Sequence, residues 1–154
     1  MTDTDNRYFE DLEEGATYDC GSIEVTEVEM LDFAERYDPQ PIHVDEDAAR
    51  ESMYGDLIAS GWLTCALSAR LLVTEYMNDN ATLGGRGMDE VRWHQPVYAG
   101  DTLSVTTELV EKRTGENPAY GHTRILVTTT NQNGDTVLTM YGLGIVEKHG
   151  GSGE

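Results

Sequence analysis

Two side chains in YDPQPIHVDEDAAR, residues 37 to 50, have the types and spacing of a water-activating pair. Asp38 and His43 flank a segment that contains Pro39 and Pro41 and no glycine. An ionised carboxylate only accepts hydrogen bonds, whereas a neutral imidazole offers one donor and one acceptor, so the two together can orient a water and take its proton. The prolines fix two φ angles between them and reduce the entropy lost in keeping the groups aligned. Taken alone, the pair fits better a turn-closing carboxylate and a hydrogen-bonded interior histidine.

A second stretch bears on the balance. In YGDLIASGWLT, residues 54 to 64, Ser60 or Gly61 opens an apolar helix. The first N–H groups of a helix lack intrahelical partners and carry partial positive charge, so they can receive an oxygen that becomes negative. Glycine at 61 permits close approach to the main chain. By itself this too reads as a packing glycine and a capping serine.

The elements that must position these residues follow from periodicity. GATYDCGSIEV (15 to 25) contains a β-prone run, and TEVEMLDFAERY carries helical spacing at Val28, Leu31, Phe33 and Ala34. Thr26 and Glu29 form a capping-box pattern, Asp38 falls at the helix exit because it precedes a proline, and Asp45 caps a further short helix. SGWLTCALSARLLVTEYM, from Ser60 to about Met77, is apolar or small on nearly every side and predicts a buried helix. Beyond it the period becomes two, in MDEVRWHQPV, DTLSVTTELVEKR, HTRILVTTTNQ and DTVLTMYGLGIVEK. NQNGD at 131 to 135 marks a hairpin, and GGRG at 84 to 87 reads as a turn before the sheet. The expectation is an α+β domain with an antiparallel sheet of about five strands around a long central helix.

With 154 residues the chain is expected to be a single domain, residues 1–154, with polar tails at 1–7 and 149–154. Its formal charge of −19, from 29 acids against 10 bases, argues against nucleic acid and membrane surfaces as partners and suits a salt-rich cell. Cys20 and Cys65 have no CxxC spacing and the N-terminal residues have no apolar run, which together predict a cytoplasmic protein. The four histidines lack metal spacing, so no metal is expected. His94 should face away from Trp93 and lie on the surface, while His122 sits in a loop-like stretch and His149 near the tail.

FAERYDPQPIHVDEDAA, YGDLIASGWLTCALSARLL and DEVRWHQPVYAGDTL occur in the order found in the MaoC-like family of (R)-specific enoyl-CoA hydratases and dehydratases, and the chain resembles that family from about residue 8 to 147. The resemblance implies a hot-dog fold, commonly a homodimer or higher homo-oligomer, acting on an acyl-CoA thioester with no cofactor besides the coenzyme A of the substrate. It implies Asp38 and His43 as the catalytic pair and the amide of Gly61 as the group that holds the thioester oxygen. Gln40 and Ser60 depart from a variant that has asparagine and histidine there, and a serine used near the pocket in some members falls at about Ala69, beside Ser68, so that role is not carried over. Tyr54, Trp62 and Met53 are candidates for an acyl pocket, and Arg70, Arg86 and Arg92 for contacts to coenzyme A. A hot-dog acyl-CoA thioesterase and a non-catalytic acyl-CoA binding subunit are the competing readings.

Overall fold

The computed structural model describes residues 6–150. After a short 3₁₀ turn at Phe9–Asp11, the order is β1 (Thr17–Glu24), α1 (Glu27–Tyr37), α2 (Pro41–Val44), α3 (Glu46–Glu51), α4 (Gly61–Glu75), β2 (Thr82–Trp93), β3 (Thr102–Thr114), β4 (Tyr120–Thr130) and β5 (Thr136–Glu147). The five strands form one antiparallel sheet in the order β1-β3-β4-β5-β2. α4 packs on its inner face, mainly over β1 and β3. This is the hot-dog fold.

Alternation explains which face is buried. Leu103, Val105, Thr107 and Leu109 of β3, Ile125, Val127 and Thr129 of β4, and Leu138 and Met140 of β5 turn inward. They meet Leu63, Leu67 and Leu72 of α4. The β4–β5 hairpin forms at the Asn-Gly pair, with Gly134 at φ +81° and the Asn131 side chain accepting from the N–H groups of Asn133 and Asp135. Its loop, residues 131–135, is longer than the two-residue form.

Several expectations are corrected. GGRG is no turn: it lies within β2, where the register against β5 shifts around Gly84, Gly85 and Gly87. Irregular pairing gives this strand segment a turn-like composition. His122 belongs to β4. His149 is tied down, its N–H donating to Glu10 and its ring bonded to Asp11, and Arg7 bridges to Asn80, so the body extends into both stretches read as tails. Residues 1–5 and 151–154 lie outside the described residues.

α4 is also less enclosed than its composition suggests. Leu63, Thr64, Leu67, Ser68 and Leu72 are buried, but Trp62, Ala66, Arg70 and Val73 face outward. In α1 the buried positions are Met30 and Ala34, and Val28 is 71% exposed.

Candidate active site

The α1–α4 connection builds the site. Thr26 caps α1 by accepting from Glu29 N–H, and the helix ends at Asp38, whose backbone leaves the helical region before Pro39. Pro41 then starts the one-turn helix α2, where its missing N–H costs nothing. That turn carries His43 inward, to 5% exposure. Asp45 ends it and caps α3 through bonds from Asp47 N–H and Ala48 N–H.

Asp38 Oδ2 and His43 Nε2 are 3.4 Å apart. His43 Nδ1 lies 2.8 Å from the Ile58 carbonyl oxygen, which can only accept, so Nδ1 carries a proton and Nε2 is the ring nitrogen that faces Asp38. Both carboxylate oxygens are held: Gln40 Nε2 donates to Oδ1 at 2.8 Å and Ser60 Oγ donates to Oδ2 at 2.7 Å. Burial pushes the Asp38 carboxyl up, but the bonds from Gln40 and Ser60, with the attraction of His43, outweigh it and hold the group below the usual carboxylate value.

Ser60 has a second task. It is fully buried at the N-cap of α4, and its Oγ accepts from Trp62 N–H while it donates to Asp38. One hydroxyl therefore joins the carboxylate to the start of the helix. The Gly61 N–H, first in the helix, has no intrahelical acceptor. A Cβ on Gly61 would stand 2.4 Å from the Trp93 ring, and Trp93 Nε1 donates to the Gly61 carbonyl at 2.9 Å. Only glycine lets that indole lie against the helix start.

These groups share a cleft of about 490 Å³, a volume suited to a small-molecule ligand. Asp38, His43, Tyr54 and Gly61 line it, as do Trp62 at 56% exposure and Met53 at 89%. His94 and Trp93 line it too. The regular strand ends at Trp93, so alternation no longer separates the two, and His94 Nε2 bonds to Thr139 Oγ1 at the mouth. Ser68 is elsewhere, buried 2.7 Å from Thr129 Oγ1. None of Arg70, Arg86 and Arg92 reaches this cleft.

Sequence reasoning missed the support given by Gln40, Ser60 and Trp93. Ser60 was legible as a cap, but its bond to a residue 22 positions away was not. Trp93 meets Gly61 across 32 positions and left no local signal.

Residues 11–131 match the family described as MaoC like domain. The chain belongs to the MaoC-like family. Among its relatives, the uncharacterized protein YdeM of Bacillus subtilis is 31% identical over 118 residues, 77% of this chain and 83% of that one. The 3-hydroxyacyl-thioester dehydratase Z of Mycobacterium tuberculosis is 33% identical over 110 residues, 70% of this chain and 71% of that one. The crystal structure of a MaoC-like dehydratase from Rhodospirillum rubrum superposes with a TM-score of 0.83 at 34% identity, covering 92% of this MaoC-like chain and 97% of that one. Hydratases and dehydratases thus recur among the relatives of this MaoC-like protein.

Proposed function

We propose that this MaoC-like protein catalyses the reversible addition of water to a trans-2-enoyl-CoA, giving an (R)-3-hydroxyacyl-CoA. The observation that carries the reading is the 3.4 Å approach of Asp38 Oδ2 to His43 Nε2 beside the first N–H of α4 in one cleft. Its relation to a dehydratase acting on 3-hydroxyacyl thioesters supports the substrate class.

In this mechanism a water donates to the Asp38 carboxylate and the His43 Nε2 lone pair. The pair takes one proton as the oxygen bonds to C3, and electrons of the C2–C3 double bond shift toward the thioester oxygen. Gly61 N–H stabilises the resulting enolate, and the same pair returns a proton to C2, so both hydrogens of the water end in the product. Ser60 and Gln40 keep Asp38 ionised and aimed. Trp93, Tyr54 and Trp62 shape the walls around the acyl group.

We further infer a homodimer or higher homo-oligomer. β2 is an edge strand of 12 residues whose Leu83, Met88 and Trp93 are exposed, and such an edge is a template for a second copy. A cytoplasmic setting fits the two free thiols, Cys20 and Cys65. No helix of the described residues is long and apolar enough to cross a membrane.

The direct assay supplies trans-2-enoyl-CoAs of graded length. Hydration removes the enoyl absorbance and leaves the thioester intact. Release of free thiol would instead establish the thioesterase alternative, and saturable binding of enoyl and hydroxyacyl thioesters without turnover the non-catalytic one.

A further inference from the structure

The outer face of the sheet carries a second hollow, of about 250 Å³, lined by Arg86 of β2, Arg113 of β3, and His122 and Arg124 of β4. Three of the eight arginines of a chain with net charge −19 converge there. Sheet register brings them together: Arg113 is paired with His122, and Arg124 with Glu111 and Leu143. Arg124 is already engaged, by Asp89 at 2.8 Å and Glu90 at 3.2 Å, and lies over the Tyr141 ring. Arg86 and Arg113 are different. Among the described residues neither has a carboxylate within ion-pair distance. Arg86 Nη1 instead donates to His122 Nδ1 at 2.6 Å, a guanidinium spending its donor on a neutral ring. Glu111 and Asp89 also line the hollow, and Glu111 opposes an anion there.

We propose that Arg86, Arg113 and His122 form a binding site for a phosphate monoester, the nucleotide end of the coenzyme A carrier. Guanidinium groups without a carboxylate partner match phosphate oxygens in geometry and charge. The site is connected to the cleft. Thr139, Tyr141 and Leu143 alternate onto one face of β5; Thr139 bonds to His94 at the cleft mouth, and Leu143 lines the hollow. Four residues of strand separate the two, about 13 Å. A carrier whose thioester enters the cleft can run along this face and set its phosphate among the arginines. The assignment of the carrier rests on the acyl-CoA reading above.

His122 supplies the readout. Burial, with the nearby charges of Arg113 and Arg86, holds its ring below the usual histidine value. An anion draws the arginines to itself and favours the imidazolium, so binding raises the His122 pKa. The experiment follows the His122 ring by NMR while adenosine 3′,5′-bisphosphate, or inorganic phosphate, is added to the full chain at low salt. The expected result is a saturable rise in the His122 pKa with the bisphosphate, at an affinity about tenfold or more above that of inorganic phosphate. Arg113→Gln weakens binding by about tenfold or more, and Glu111→Gln tightens it. A shift that never saturates, equal affinity for the two ligands, or indifference to both substitutions would overturn the site. The assay involves no turnover. A chain that hydrates enoyl-CoA but ignores the bisphosphate loses only this inference, and one that binds the bisphosphate but leaves enoyl-CoA unchanged loses only the hydratase reading.

Discussion

The carboxylate of Asp38 has three neighbours with distinct duties: Gln40 on one oxygen, Ser60 on the other, and the His43 ring facing the second. Ser60→Ala removes one of the bonds that hold the Asp38 pKa down, so that pKa moves up. The sign follows for stability as well. A carboxyl lowered in the folded state contributes stability above its ordinary pKa, and that contribution is lost as pH falls through the lowered value. In Ser60→Ala that contribution is smaller and its loss is complete at higher pH, and the acidic limb of the activity profile shifts to higher pH. Comparing rate–pH and Tm–pH curves for the two proteins checks this; an unmoved acidic limb would separate Ser60 from Asp38. Because Ser60 also caps α4, the variant is expected to lose about 1 kcal/mol of stability near neutrality.

At the scale of elements, the start of α4 and the end of β2 are fitted to each other through Gly61 and Trp93. Gly61→Ala drives a methyl into the indole, and overpacking of this kind costs about 1–3 kcal/mol. Adding Trp93→Ala removes the obstacle, so the double variant is expected to be less destabilised than the sum of the singles, a coupling that denaturant unfolding measures. Simple additivity would mean that the contact is not tight. This junction also marks the limit of what was legible. Caps at Thr26, Asp45 and Ser60, the period-two strands and the Asn-Gly hairpin are local signals, and they led to the right elements. The proposed pair, Asp38 and His43, was visible because stiff local sequence separates the two by five positions. The GGRG segment misled because irregular pairing and a turn draw on the same residues. Whether the outer side of α4 is covered depends on which elements pack across it, and no periodicity within the helix reports that.

For the whole molecule, the charge of −19 sets a dependence on salt. Raising ionic strength from about 0.1 M to about 1 M shortens the screening length from about 10 Å to about 3 Å, which relieves self-repulsion in the folded state. Tm is therefore expected to rise over that range, and calorimetry showing a flat or falling Tm would contradict the argument. Assembly is testable at the same scale. The open β2 edge predicts, in sedimentation equilibrium, a mass of at least twice the 17.0 kDa of one chain, against a monomer at all concentrations if that edge stays unpaired.

The most direct test of the proposed chemistry is the rate of enoyl-CoA hydration in Asp38→Asn and His43→Ala, with folding verified by circular dichroism. If this pair activates the water, each substitution lowers kcat/KM by about 10²–10⁴-fold while the thioester stays intact. A rate equal to that of the unsubstituted protein in either variant would contradict the account.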